Sequence, residues 1–349
     1  MDLSGEKLLQ RRLSRRGFLK ATGEAALGVG AVVLFGCTTN KKPETPTPKM
    51  PEVKIPQGEQ NLGKLPELTE LQVKDIARIA TADFNKVLGF QLSDDEIVEK
   101  TNLVPTLEKF QEIVAVSEES YVPKNEIDRA AITSDSRSIH GREIFLNKLS
   151  LEQTTSELPN SEQGKSAKFE FVEFIEIHEL THFISSAYRS DQLHDLVYGK
   201  MLANIAAFKD KNVQMQFVEG AEVHGLVDGK QVSTFQKLEE AEAFLIGEMV
   251  MRKRGKNQTV SWPKAKDVGA EVQADLLKNL LSKLGRGDVD ENLKTLAHLR
   301  SEEGGREKFC QLIGERFKIP TQDQLFFSMS VLFAIDLGDR QLYQNLTNR

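Results

Sequence analysis

Between Phe169 and Tyr188, Phe171, Phe174, Ile175, His178, His182 and Ser185 fall on one stripe at steps of three and four, the spacing of a single helix face. No other segment constrains the fold as tightly. An apolar stripe has to be covered by further layers, while imidazoles lying on that stripe need polar partners wherever they are buried. The fold must therefore wrap a helix whose buried face carries chemistry.

The centre of that helix reads His178-Glu179-Leu180-Thr181-His182. Residues four apart project from one face one turn apart, so both imidazoles can reach a single ion. Neutral imidazole nitrogens suit Zn²⁺ at about 2.0 to 2.1 Å and leave tetrahedral positions for a third protein ligand and a water. Glu179, beside the first histidine, can hydrogen-bond that water rather than the metal. Zinc lowers the pKa of such a water to about 7, so a carboxylate can take its proton while the oxygen attacks a carbonyl polarised by the same ion.

The pentapeptide HELTH is the form found in thermolysin-like peptidases, and the chain resembles them. The positions three and six after His182 are Ser185 and Tyr188, which excludes the metzincin continuation. The resemblance is therefore to the gluzincins, in which a glutamate on a later helix completes the site. Two segments offer it: Leu238-Glu239-Glu240-Ala241-Glu242-Ala243 and Phe217-Val218-Glu219-Gly220-Ala221-Glu222. Glu240 is preferred because Ala243, Phe244, Gly247 and Met251 follow it on one helix face, and a carboxylate on an apolar face needs a partner. Glu219, the alternative, lies in an alternating stretch that reads as a strand. The chain departs from the family at its last acidic position, which is Phe244 in one alignment and Val223 in the other.

The resemblance implies an α+β, mainly helical, zincin-like fold with a small sheet and an active-site helix. It implies zinc-dependent hydrolysis of peptide bonds in cell-envelope or extracellular proteins, with Glu179 as catalytic base and His178, His182 and Glu240 as metal ligands. The short run from Arg142 to Asn147 resembles the edge strand above the zincin cleft, which pairs with an extended peptide. Tyr188, Tyr198 and His224 are candidate oxyanion donors among which the sequence does not choose. The remaining histidines, His140, His194 and His298, read as surface or capping residues. A reading of a different class is a zinc-bound lipoprotein of zincin fold that binds peptides without turnover. Glu179 separates the two, since a binding module needs no base there.

The first 37 residues read as an address rather than a fold element. Ser14-Arg15-Arg16-Gly17-Phe18-Leu19-Lys20 resembles a twin-arginine export signal, and Leu34-Phe35-Gly36-Cys37 resembles a lipobox with Cys37 as the lipidated residue. The intervening stretch is too short and too weakly apolar for a spanning helix. Residues 38–60 form a Pro- and Lys-rich tether. Residues 61–349 then form the metallopeptidase domain, held by a lipid anchor on the periplasmic or exterior side of a membrane. The net charge of -6 and the absence of a basic stripe after residue 60 exclude a nucleic-acid partner and leave a peptide or protein substrate. Two cysteines, Cys37 and Cys310, give no disulfide framework, and Cys310 reads as a buried helical thiol. The oligomeric state is not legible.

Elsewhere, residues 65–116 read as helical, with Leu71, Ile76, Ile79 and Phe84 recurring at three- to five-residue steps and Ser93 capping a second helix. A polar loop is expected over 152–166, a helix over 192–208, a hairpin over 213–235 turning at Asp228-Gly229, and a helix over 237–252. Three or four C-terminal helices follow, one of them carrying Leu276, Leu277, Leu280, Leu281 and Leu284. Another, over 325–337, is a core helix too short to span a bilayer.

Overall fold

The computed structural model describes residues 65–117, 131–133, 142–156, 158, 160–202, 211–228, 230–254, 270–285 and 287–348. The export signal, Cys37 with its lipobox, the tether and His140 lie outside the described residues. What is described is mainly helical with two small sheets, an α+β architecture.

Helix α1 (Glu70–Leu88) opens on a reciprocal cap: the Thr69 hydroxyl accepts the Gln72 N–H at 3.3 Å, and the Gln72 side-chain oxygen accepts the Thr69 N–H at 3.0 Å. Its buried face is Val73, Ile76, Ala77, Ala80, Phe84 and Leu88. Of the residues that mark the helical spacing, Ile76 and Phe84 are buried, while Leu71 and Ile79 are 72% and 44% exposed. Ser93 caps α2 (Asp94–Lys100) through the Glu96 N–H. That helix runs directly into β1 (Thr101–Val104), a strand hidden inside the stretch expected to be helical, and α3 (Leu107–Ser117) follows.

The first sheet has the order β1-β3-β2, with β3 (Ile144–Asn147) parallel to β1 and antiparallel to β2 (Ala131–Thr133). The strand expected at 142–147 is therefore interior, and every residue of β3 is buried, as for strands covered on both faces. The edge strand beside the histidine helix is β2. The loop expected over 152–166 is shorter than expected, because Asn147 caps α4 (Lys148–Thr154) and Ser161 caps α5 (Glu162–Phe183) by accepting from the Gly164 N–H at 3.1 Å. Helix α5 ends at Phe183 rather than Tyr188, where Arg142 takes the Phe183 carbonyl at 2.6 Å and the chain turns into β4 (Ala187–Tyr188).

After β4 come α6 (Asp191–Leu196) and a π-helical turn over Val197–Met201; residues 203–210 of the helix expected there lie outside the described residues. The second sheet runs β4-β5-β6-β7, with β5 (Val213–Glu219), β6 (Glu222–Val227) and β7 (Lys230–Thr234). The single hairpin expected is two hairpins, the first turning at Gly220 with φ +55°. Helix α7 (Gln236–Lys253) is followed by α8 (Glu271–Lys283), α9 (Val289–Arg300), α10 (Gly305–Arg316), α11 (Thr321–Asp336) and α12 (Arg340–Thr347), five C-terminal helices rather than three or four. Among the described residues no helix is long and apolar enough to cross a membrane.

Helix α5 packs against both α1 and α7, which also meet each other, and α7 further meets α8, α9 and α11. Burial of each large apolar side chain in this core contributes about 1.5 to 3 kcal/mol. Phe174 of α5 meets Phe244 of α7 edge-on with ring centroids 5.7 Å apart. One turn further, Gly247 faces α5: a Cβ there would make ordinary contact with the Phe174 ring at 3.4 Å and the His178 Cα at 3.9 Å. Seven residues from Gly247, and so on the same face of α7, stands Glu240.

Candidate metal centre

The helical spacing of His178 and His182 places their Nε2 atoms 3.2 Å apart. Glu240, at the start of α7, brings its Oε2 to 3.2 Å from the His178 Nε2. One ligand atom from each of the three residues lies within 4.8 Å of the others. A tetrahedron with metal–ligand bonds of about 2.0 to 2.1 Å has an edge of roughly 3.3 Å, so two of these separations fit ligands of one ion. Two imidazoles and a carboxylate form a donor set suited to zinc. The histidine side chains are largely buried while that of Glu240 is 46% exposed, so the cluster opens to solvent on the α7 side.

Glu219, the other candidate ligand, is elsewhere engaged: its Oε1 lies 2.7 Å from an Arg142 guanidinium nitrogen, at the end of β5. Its strand position pairs it with Glu222 across the Gly220 turn. Glu239 is brought to the centre instead, which the sequence reading did not anticipate. Adjacent helix residues project about 100° apart, so Glu240 faces the histidines from the rim while Glu239 turns inward. Its Oε1 lies 3.0 Å from the His182 Nδ1. A carboxylate on Nδ1 fixes the ring's tautomer and leaves Nε2 with a lone pair toward the metal position.

Behind Glu239 stands a buried ion network. Arg300 of α9 donates to Glu239 and, at 2.6 Å, to Glu242, while Arg306 of α10 donates to both Glu242 oxygens at 2.9 and 2.8 Å. The Ala221 N–H also donates to Glu239. Burial works against ionisation of Glu239, but Arg300 and then His182 overcome it and hold the carboxyl well below its usual range. Burial likewise works against a charged His182, yet the hydrogen bond to Glu239 and the nearby Glu240 and Glu179 carboxylates lift it to about 9. A metal ion entering the cluster would therefore have to displace a proton from its Nε2.

Glu179 is buried, and its Oε2 accepts from the Thr133 hydroxyl at 2.8 Å, so the last residue of the edge strand β2 fixes the carboxylate. Of the candidate oxyanion donors, Tyr188 donates to Glu307 at 2.6 Å, and the single proton of the Tyr198 hydroxyl is shared between the Val223 and Val232 carbonyls, each 3.0 Å away. Both hydroxyls are thereby committed. His224 stacks on Phe217 and its Nε2 lies 3.3 Å from Glu222. Burial, followed by the Glu239 charge, pushes Glu222 up to about 8. His194 is tilted against Tyr198, and His298 bonds the Leu88 carbonyl at 2.8 Å.

A second feature escaped the sequence reading. Glu170, Glu173, Glu176 and Glu179 recur every third residue along α5 and all are buried. Arg254 pairs with Glu170 and Glu173, Thr101 of β1 donates to Glu176 at 2.8 Å, and Thr133 of β2 holds Glu179. Burial pushes Glu176 up to about 8, with the Thr101 hydroxyl drawing it partly back. The signal was an acidic residue at every third position of a helix otherwise rich in Phe and Ile. Cys310 is fully buried in α10, and burial pushes its thiol up to about 12.

The chain matches no protein-family model, no curated protein and no solved structure.

Proposed function

We propose that this chain is a zinc-dependent peptidase of zincin type, exported by the twin-arginine route and held to the membrane through Cys37. The observation that carries the reading is the convergence of the His178, His182 and Glu240 donor atoms within 4.8 Å of one another, two of the three separations being 3.2 Å, with Glu179 on the same helix between the two histidines. Zinc bound there would supply Lewis-acid polarisation of a scissile carbonyl and acidify the attacking water. Glu179 would accept the proton of the attacking water and return it to the leaving amine. Thr133 holds the Glu179 carboxylate, and Glu239 holds the His182 ring. Strand β2 is an edge strand among the described residues and ends against Glu179, so an extended peptide pairing along it would bring a backbone carbonyl to the base.

Glu179→Gln tests the chemistry apart from the metal. The amide keeps the shape and a hydrogen-bonding oxygen but accepts no proton, so zinc content should stay at the wild-type level while turnover of a broad peptide library falls by about 10²- to 10⁴-fold. Equal rates in the two proteins would refute the peptidase. Equal inertness with zinc retained would favour the peptide-binding lipoprotein.

A further inference from the structure

The two helices that carry the metal cluster are joined, behind it, by one side chain from a third. Arg300 is the last residue of α9, and its side chain is 1% exposed. Toward α7 its Nη1 donates to Glu239 Oε2 at 2.8 Å and to Glu242 Oε2 at 2.6 Å, and its Nη2 donates to Glu239 Oε1. Toward the C-terminal end of α5 the same Nη2 reaches the Thr181 carbonyl at 3.5 Å and donates at 2.9 Å to the hydroxyl of Ser185, two residues past the helix, which itself donates to the Thr181 carbonyl at 3.2 Å. The Arg300 backbone carbonyl accepts the Ser186 N–H at 2.8 Å. A planar guanidinium donates in fixed directions, so these contacts set the distance and rotation of α5 relative to α7 together.

We infer that Arg300 is a positioning residue for the metal, acting through Glu239 on His182 and fixing the spacing between the helix of His178 and His182 and the helix of Glu240. The inference rests on the zinc reading above. It assigns metal affinity to a residue that touches no ligand of the cluster. A lysine at 300 would keep one positive charge but offers a single ammonium on a flexible stem, which cannot serve both Glu239 oxygens, Glu242 and Ser185 at once. Glu239 would then be free to rotate away from His182. Loss of such an outer partner weakens metal binding by about 10- to 100-fold.

Arg306 supplies the control. It is buried in the same network, but its side chain bonds Glu242 and the Gly220 carbonyl and makes no bond to Glu239 or α5. The zinc dissociation constants of full-length wild type, Arg300→Lys and Arg306→Lys should be measured by competition with a chromophoric chelator, alongside the visible spectra of their Co²⁺ forms and their urea unfolding midpoints. Arg300→Lys should bind zinc about 10- to 100-fold more weakly with an altered Co²⁺ spectrum. Arg306→Lys should lose stability yet stay within about threefold of wild type in zinc affinity, a change too small for a lost outer partner. Unchanged zinc affinity in Arg300→Lys, or equal weakening in both variants, overturns the inference while leaving the metal reading in place. Absence of zinc binding in wild type overturns the metal reading itself. Should Arg300→Lys fail to fold, Ser185→Ala removes only the hydroxyl contact to α5. A weakening of about tenfold is then expected, and affinity within about threefold of wild type overturns the inference.

Discussion

Replacement of Gly220 by alanine reaches the metal centre from a turn that contributes no ligand. Gly220 sits at φ +55° between β5 and β6, and an alanine Cβ there would lie 2.6 and 2.7 Å from the Glu239 carboxylate oxygens and 2.9 Å from the Arg300 Nη2. The backbone conformation alone costs an alanine about 1 to 2 kcal/mol. The contacts cost more, because neither neighbour is a free chain end: Glu239 is held by His182, Arg300 and the Ala221 N–H. Breaking a buried charge pair outright costs about 3 to 5 kcal/mol, so a partial displacement adds roughly 2 to 3. Gly304 provides the comparison, since its φ is +72° and a Cβ there meets nothing within 4 Å. Gly304→Ala should therefore lose only the backbone share. Urea unfolding of both variants isolates the difference, and zinc affinity should fall in Gly220→Ala alone. Equal destabilisation of the two, or a Gly220→Ala protein within about 0.5 kcal/mol of wild type, a surface-level effect, would refute the packing argument.

Two further predictions concern the ligand choice and pH. Glu240→Gln should lower zinc content by elemental analysis while Glu219→Gln, whose carboxylate is held by Arg142, keeps it; the reverse result would move the third ligand to Glu219. Asp336 caps α7 by accepting the Leu238 N–H at 2.9 Å, and burial pushes it from 3.8 up to about 6, although that bond and Lys237 pull the other way. A raised folded pKa means stabilisation that is full below about pH 4 and lost as pH rises through about 6, on the order of 3 kcal/mol. Asp336→Asn keeps an acceptor oxygen but cannot ionise. Its unfolding free energy relative to wild type should therefore rise between pH 4 and pH 7, and a flat or falling difference would contradict the assignment.

The histidine helix was legible because it obeys a local rule: spacing along one helix fixes which side chains share a face, whatever surrounds it. Glu240 was legible for the same reason, as a charge on an apolar helix face. Glu239 was not, because its role depends on Arg300, which arrives 61 residues later in the chain. The buried glutamates of α5 were misleading in the opposite sense, since acids at every third position normally mark a wet face, and only their partners from β1, β2 and α7 explain their burial. Strand β1 escaped because it directly follows a helix with no turn signal, and the β5–β6 hairpin escaped because Gly220-Ala221 announces a turn less plainly than Asp228-Gly229.

Helix α9 faces two ways. His298 bonds the Leu88 carbonyl at the end of α1 and stacks on Phe90 at 4.5 Å, while Arg300 grips α5 and α7 behind the metal cluster. Residues two apart on a helix point to nearly opposite sides, so one short helix latches the first described helix across 210 residues and braces the cluster with its other face. This sets an order of assembly during synthesis. A nascent chain that has emerged only as far as α7 holds both histidines and Glu240 but lacks the guanidinium that braces Glu239 beside His182. Because α1 also packs against α5, β1 and α7, its docking does not wait for α9, whereas the bracing of Glu239 against His182 does, and a chain cut short before α9 would keep the N-terminal layer and lose that bracing.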